Sequence, residues 1–475
     1  MSPEKLNITP EIKQTITPKQ AWHFKIIPVA IECNQIQILI DKQNYVNGIK
    51  NELEIVLGKK INLKAVSSEE IDSALKFYYP NKDISYNQQS ILKLISNKEK
   101  FIISLIEEAL QLASSDIHFE IREKIGIVRF RIDGHLITKY NIPKTDYPAI
   151  INAIKIKANL DIAEKRLPQD GRIQIKKNTG NLDIRVSIVP TNNGEKAVFR
   201  LLHKDSSHIN LENVGFSEEQ LQIYQNGFLR SHGIILVSGP TGSGKTTTLY
   251  ATLQRLNQEN RNILTIEDPV EYTMEGVNQV QLKENIGLTF PVALKTFLRQ
   301  DPDIIMVGEI RDPDTAQIAI RAALTGHLVL STIHTNSAWG IISRLIDMQV
   351  PEYLISATLN VAVAQRLVRL LCPNCKSEER NQNPLMFKYL PKIRNITYQS
   401  KGCEYCNYTG YKGRKALFEV IEINERLKDL IKNEKFDNGG YLKEFNGTSL
   451  RDQALYLYSD GFTSFDEILP IILNI

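Results

Sequence analysis

The chain has 475 residues, 42% of them hydrophobic and 24% charged, with a formal net charge of +4. These values fit a folded protein of about three domains and exclude a disordered chain, and so small a net charge is no argument for nucleic acid unless it is clustered. No apolar run reaches the roughly 18 residues of a membrane span, and Met1-Ser-Pro-Glu-Lys-Leu-Asn lacks an apolar signal core, so a cytoplasmic protein is expected, held at a membrane only by partners.

Residues 1–85 read as a small α/β module. Gln35-Ile-Gln-Ile-Leu-Ile is a strand, and Ser68-Glu-Glu-Ile opens a capped helix that ends near Tyr78-Tyr79-Pro80. The polar stretch 81–89 is expected to be a linker. A second module covers 97–204. Its Val128, Phe130 and Ile132 alternate with Arg129 and Arg131, and Asp133-Gly134 turns the chain into His135-Leu-Ile-Thr, which predicts a hairpin. Ile150, Ile151, Ile154 and Ala158 have helical spacing. Residues 205–210 are polar and read as a second linker.

The third module, 215–475, alternates short apolar runs with helical segments. The runs Ile234-Ile-Leu-Val, Ile263-Leu-Thr-Ile, Ile304-Ile-Met-Val and Leu328-Val-Leu suit strands covered on both faces. They end in Ser238-Gly239, Glu267-Asp268, Gly308-Glu309 and Ser331-Thr332. Open parallel sheets bind ligands at the carboxyl ends of their strands, so one shared site is expected.

That site is a P-loop. Gly239, Pro240, Thr241, Gly242, Ser243, Gly244, Lys245 and Thr246 match G-x-x-x-x-G-K-[ST] in full, and Thr247-Thr-Leu-Tyr-Ala opens a helix after it. The alternative is an ordinary glycine-rich turn, but the preceding strand and following helix favour nucleotide. The glycines let N–H groups turn inward on phosphate, and the helix N-terminus adds positive potential. Lys245 is expected on the β- and γ-phosphates of ATP, and Thr246 on Mg2+. Glu309 follows its strand with room for one strand between it and the P-loop, as a carboxylate positioning Mg2+ requires. Its alternative is an acid at a helix N-terminus. Glu267 is the candidate for orienting or deprotonating the attacking water. The division of labour between the two glutamates stays open. Glu271 reads as a solvated acid, His334 as a γ-phosphate sensor, and His327 as structural.

Thr265-Ile-Glu-Asp-Pro-Val-Glu-Tyr, Asp303-Ile-Ile-Met-Val-Gly-Glu-Ile-Arg-Asp and Thr325-Gly-His-Leu-Val-Leu-Ser-Thr-Ile-His-Thr-Asn follow the P-loop in that order. The set resembles the Asp-box, Walker B and His-box motifs of secretion-superfamily ATPases of the GspE/PilB type, which serve type II secretion and type IV pilus assembly. Ala113-Ser-Ser-Asp-Ile-His-Phe-Glu, Leu167-Pro-Gln-Asp-Gly-Arg-Ile and Gly194-Glu-Lys-Ala-Val-Phe-Arg extend the resemblance from about residue 95 to the end.

The resemblance implies an α/β chain: a RecA-like P-loop NTPase domain, preceded by a PAS-like α+β domain and a small N-terminal α/β domain. It implies ATP hydrolysis by a homo-hexamer, with nucleotide between the two larger domains and Arg172 and Arg185 reaching the γ-phosphate. The implied partners are an inner-membrane platform protein and the cytoplasmic domain of a secretion or pilus membrane protein, with the chain peripheral to the bacterial inner membrane. The first 85 residues resemble the family's N-terminal domain more weakly. They lack the Arg-Leu-Gly segments that bind a cyclic dinucleotide in some relatives, so a docking role is expected. Ser337 stands where the family often has an acid. A nucleic-acid translocase is the rival reading, since RecA-like hexamers also pump DNA. The near-neutral charge and the lack of a basic-aromatic stripe oppose it.

Four of the five cysteines form two C-x-x-C pairs, Cys372/Cys375 and Cys403/Cys406. Four thiolates suit a closed, structural Zn2+ site, the alternatives being reduced thiols or a redox pair. The assembly-type ATPases that the chain resembles carry the same insertion. Cys33 is expected to be a buried structural cysteine.

Overall fold

The computed structural model describes residues 12, 15–16, 18–32, 35–45, 49–50, 53–54, 60–78, 97–177, 180–202, 210–380, 396–432 and 447–473. Cys33, the linker at 81–89 and residues 205–209 of the second linker lie outside them. The chain divides into two compact units. One comprises Met1–Leu105, Ile121–Val128 and Thr138–Ala153, and the other Ile106–Glu120, Arg129–Ile137 and Ile154–Ile475.

The N-terminal region forms a three-stranded sheet, β1 (Ile26–Glu32), β2 (Gln35–Asp41) and β3 (Lys60–Val66), with β2 in the middle. Ile36, Ile38 and Ile40 alternate into the core, where Ile71, Ala74 and Leu75 of the helix Ser68–Tyr78 meet them. The helix cap falls one residue earlier than Ser68. Glu70 donates its N–H to Ser67 Oγ at 3.4 Å and accepts the Ser67 N–H at 3.2 Å, a reciprocal capping box. The Ser68 hydroxyl instead donates to Asp41 at 2.8 Å, tying the helix to the end of β2.

A six-stranded sheet follows: β4 (Asp116–Ile121), β5 (Ile125–Ile132), β6 (His135–Pro143), β7 (Gln169–Lys177), β8 (Gly180–Thr191) and β9 (Gly194–Leu202), in the order β6-β5-β4-β9-β8-β7. Val128, Phe130 and Ile132 are buried as the alternation predicts, and Asp133-Gly134 makes the turn between β5 and β6. The helix Tyr147–Lys157 buries Ile150, Ile151 and Ile154.

The third sheet is built on β10 (Gly233–Ser238), β11 (Ile263–Glu267), β12 (Asn278–Gln281), β13 (Ile304–Val307), β14 (Leu328–Ile333), β15 (Leu359–Leu371) and β18 (Tyr411–Glu422), in the order β12-β11-β13-β14-β10-β15-β18. β16 (Ser377–Arg380) and β17 (Ile396–Gln399) form a separate ribbon. Every pairing in the large sheet is parallel except β15 with β18. Every residue of β10, β11, β13 and β14 is buried, because the sheet is covered on both faces. Ile234 and Leu236 point into one core and Ile235 and Val237 into the other. Two strands, β11 and β12, lie in sequence between the P-loop and Glu309, one more than expected. In the sheet, β14 separates β10 from β13, so the P-loop and Glu309 face each other across the end of β14.

Candidate active site

The P-loop leaves β10 at Gly239, where φ is 149°. A Cβ there would lie 2.4 Å from Gln365 O and 2.6 Å from Ser243 Oγ, so only glycine fits. The loop ends at Gly244, φ 89°, and the helix begins at Lys245 rather than Thr247. Gln365 of β15 buttresses the loop from below, accepting the Thr248 hydroxyl at 2.9 Å. Lys245 Nζ donates to Gly239 O at 2.8 Å and Pro240 O at 3.1 Å, which curls the side chain along the inside of the loop. Burial lowers its pKa, and the charge of Glu309 works against that shift. Gly239→Ala is expected to weaken ATP binding at least about tenfold in a nucleotide titration, since the new methyl group displaces either the loop or β15.

Glu309 follows β13. The Ser331 and Thr332 hydroxyls donate to Val307 O and Gly308 O, each at 2.8 Å, and fix the end of β13 against β14. The Glu309 carboxylate pairs with Arg311 and lies 3.4 Å from His334 Nε2. The chain thus gathers Lys245, Glu309 and His334 in one place. Thr246 is exposed at the first turn of the helix, and its hydroxyl and the Glu309 carboxylate are the hard oxygen donors that Mg2+ prefers. His327 lies at the opposite end of β14, its Nδ1 2.9 Å from Ala322 O.

Glu267 ends β11, next to β13, but the residue is only 3% exposed. Thr265 Oγ1 donates to it at 2.6 Å and Gln279 Nε2 at 3.3 Å, and the Tyr250 hydroxyl donates to the other oxygen. Burial raises its pKa against the pull of these donors. Glu271 is not simply solvated: its carboxylate lies 3.6 Å from Arg185 Nη1.

Arg172 and Arg185 are opposite one another in β7 and β8, Arg185 is opposite Arg200 in β9, and Arg200 is opposite Asp116 in β4. Directly paired residues share a face, so three guanidinium groups stand in one row. They line a cavity of about 560 Å³ together with Ser187, Pro269 and Gln281. Arg185 also donates to Val270 O, on the segment that follows Glu267. Arg200 Nε meets Asp116 at 3.2 Å.

The four cysteines Cys372, Cys375, Cys403 and Cys406 converge. The Cys372–Cys403, Cys375–Cys406 and Cys403–Cys406 sulfur separations are each 3.8 Å. A tetrahedron of sulfurs about 2.3 Å from a central Zn2+ has edges of about 3.8 Å, so the donor set fits that ion in size as well as chemistry.

The family model described as type II/IV secretion system protein matches residues 93–470. The chain belongs to this family. The type II secretion system protein E of Pseudomonas aeruginosa is 44% identical over 376 residues, covering 78% of this chain and 75% of that protein. The type II secretion system ATPase E of Vibrio cholerae is 43% identical over the same share of this chain. The type IV pilus assembly ATPase PilB of Myxococcus xanthus is 39% identical, covering 98% of this chain and 87% of its own length. Among solved structures, the pilus retraction motor PilT with bound ADP is 25% identical and superposes with a TM-score of 0.54 over 78% of this chain and 96% of its own. The Legionella pneumophila ATPase DotB, 20% identical, shares the fold with a TM-score of 0.59 over 79% of this chain and 96% of its own.

As a member of the type II/IV secretion family the chain is an ATP hydrolase with a RecA-like core. Three residues carry contacts that their sequence context does not announce: Gln365 under the P-loop, Arg200 beside Arg185 and Tyr250 on Glu267. Arg200 carried a signal: the two-residue Asn192-Asn193 turn sets the β8–β9 register that brings it opposite Arg185. Gln365 and Tyr250 carried none, since a glutamine in an apolar strand and a tyrosine in a helix have no pattern of their own. Ser337, in place of the family's acid, accepts the Gly340 N–H at 3.1 Å, so its hydroxyl closes the start of the helix Gly340–Asp347. No helix among the described residues is long and apolar enough to cross a membrane.

Proposed function

We propose that the chain is a hexameric motor ATPase that drives assembly of a type IV pilus or a type II secretion pseudopilus. The observation that carries this reading is the row Arg172, Arg185 and Arg200 set against the segment after Glu267, with Lys245, Glu309 and His334 gathered at the neighbouring strand ends. That arrangement supports a nucleotide clamped between two sheets, whose closing does mechanical work. Pilus assembly is favoured over type II secretion because the similarity to the pilus assembly relative runs over 98% of the chain, whereas that to the type II relatives covers 78%. The proposed place of work is the cytoplasmic side of the inner membrane, through a platform protein and the cytoplasmic domain of a membrane partner. No role for nucleic acid is proposed.

In this reading the triphosphate lies on the N–H groups of residues 239–247, and Lys245 leaves the Gly239 and Pro240 carbonyls for the β- and γ-phosphate oxygens. Thr246 and Glu309 would hold Mg2+, which would supply neutralisation of the phosphate charge. Water attacks the γ-phosphorus, the bond to the β–γ bridging oxygen breaks, and the water's proton passes to Glu267. Arg172 and Arg185 neutralise the charge that develops, and His334 senses the γ-phosphate from beside Glu309. Cys372, Cys375, Cys403 and Cys406 would hold Zn2+ as a structural ion.

Glu309→Gln and Glu267→Gln are each expected to lower ATP turnover by about 100-fold or more while leaving the protein folded, measured as phosphate release. Wild-type turnover in both variants would overturn the assigned roles. In cells, Glu309→Gln should abolish filament formation at normal protein levels, and filaments made as in wild type would overturn the motor reading.

A further inference from the structure

Tyr250 lies five positions beyond Lys245 on the P-loop helix, Lys245–Leu256, and is buried. Its hydroxyl donates to Glu267, while its oxygen accepts the Glu271 N–H at 3.2 Å. The backbone N–H approaches the oxygen's lone pair, and the proton is left for the carboxylate. The Tyr272 ring packs edge-on against Tyr250, centroids 4.6 Å apart and planes at 71°, which fixes the ring. Glu271 is also the residue that Arg185 faces, and the carbonyl of Val270 beside it takes a hydrogen bond from the same guanidinium. A continuous path runs from Arg185 through the 270–271 backbone to Tyr250 and Glu267.

We propose that Tyr250 is a positioning residue for hydrolysis, which orients the Glu267 carboxylate and ties it to the segment that Arg185 grips. The proposal rests on the reading of Glu267 as the group that takes the water's proton. When Arg185 leaves Val270 and Glu271 for a γ-phosphate, the Glu271 N–H is free to shift, and with it one of the two bonds that aim the phenol. Arrival of the phosphate then reaches the base without any direct contact between the arginine and Glu267.

The groups facing Glu267 are Thr265 on its own strand, Tyr250 on the P-loop helix, Gln279 on β12, and Glu271 and Tyr272 on the segment after β11. Burial holds the carboxyl above its ordinary range, the three donors pull it back, and the Glu271 charge pushes it up. The base form is lost as pH falls through that raised value. Removing a donor to the carboxylate raises it further, so the acid limb of kcat moves to higher pH.

In the full-length protein, Tyr250→Phe is expected to move that limb upward by about one pH unit, with KM for ATP within about twofold of wild type. Gln279→Ala should move it in the same direction and serves if Tyr250→Phe does not fold. Thr265→Val removes a donor off the Arg185 path. Its effect on kcat should add to that of Arg185→Ala, whereas the effects of Tyr250→Phe and Arg185→Ala should not add. An unmoved limb, or additivity in both pairs, with Glu267→Gln inactive, overturns the role of Tyr250 alone. An active Glu267→Gln overturns the reading of Glu267, and the proposal falls with it.

Discussion

Lys245→Ala is expected to lower ATP hydrolysis by at least about 100-fold, measured as steady-state phosphate release at saturating ATP. The Lys245 ammonium bonds the carbonyls of Gly239 and Pro240 from inside the loop, so a positive charge is already placed where the proposed function needs it for phosphate. Its removal takes the ammonium from Gly239 O and leaves Pro240 O with the Ser243 N–H at 3.2 Å, which costs about 1–2 kcal/mol of stability, a small effect beside the loss of transition-state charge. Lys245→Arg should not rescue activity. The planar guanidinium is wider than an ammonium, and the turn at Gly239 already stands against Gln365 and Ser243. A Lys245→Ala protein that turns over within tenfold of wild type would show that phosphate charge is met elsewhere.

The second large effect concerns the cysteines. Serine at Cys372 or Cys406, or treatment with a strong chelator, should release one Zn2+ per chain and lower the unfolding midpoint by roughly 10 °C, as roughly 3 kcal/mol does in a domain of this size. Metal content by emission spectroscopy and a thermal melt check both. The loss should reach beyond the two knuckles. Leu371 donates its N–H to Phe462 O at 2.7 Å, Lys376 Nζ bonds Gly461 O at 3.1 Å, and Arg369 grips Glu467 through Nε at 3.0 Å and Nη2 at 2.5 Å. The segment entering the first knuckle is therefore stitched to the C-terminal helices Leu450–Ser459 and Phe465–Leu473. Faster hydrogen exchange in both helices after chelation is the expected sign, and exchange confined to 372–410 would contradict it.

The parts that could be read from the sequence are those whose physics is local. A strand buried on both faces must be apolar throughout, so β10, β11, β13 and β14 stood out as runs, and the polar residues after each marked one sheet edge. The edge strand β12, Asn-Gln-Val-Gln, is half-exposed and has no run to show. Its consequence is chemical, because Gln279 reaches Glu267 from it. The Ser67 cap was displaced by one position because serine occupies both 67 and 68, and only the geometry of Glu70 decides between them. Tyr250 is the hardest case. Its ring satisfies the apolar face of a helix, and its hydroxyl meets a carboxylate on another strand, which no spacing along one chain encodes.

The row of Arg172, Arg185 and Arg200 crosses three adjacent strands, spaced about 4.8 Å apart, with Asp116 next to Arg200 at one end. Like charges at such spacing repel, and the two nearby carboxylates relieve the row only in part: Asp116 is shared with Arg131, and Glu271 stands 3.6 Å from Arg185. The folded protein therefore carries a local electrostatic debt that a multivalent anion can discharge. Sulfate or inorganic phosphate should raise the unfolding midpoint more than chloride at equal ionic strength, and Arg200→Gln should shrink that difference. In the proposed reading the nucleotide's phosphates are that anion, and their release returns the row to its uncompensated charge.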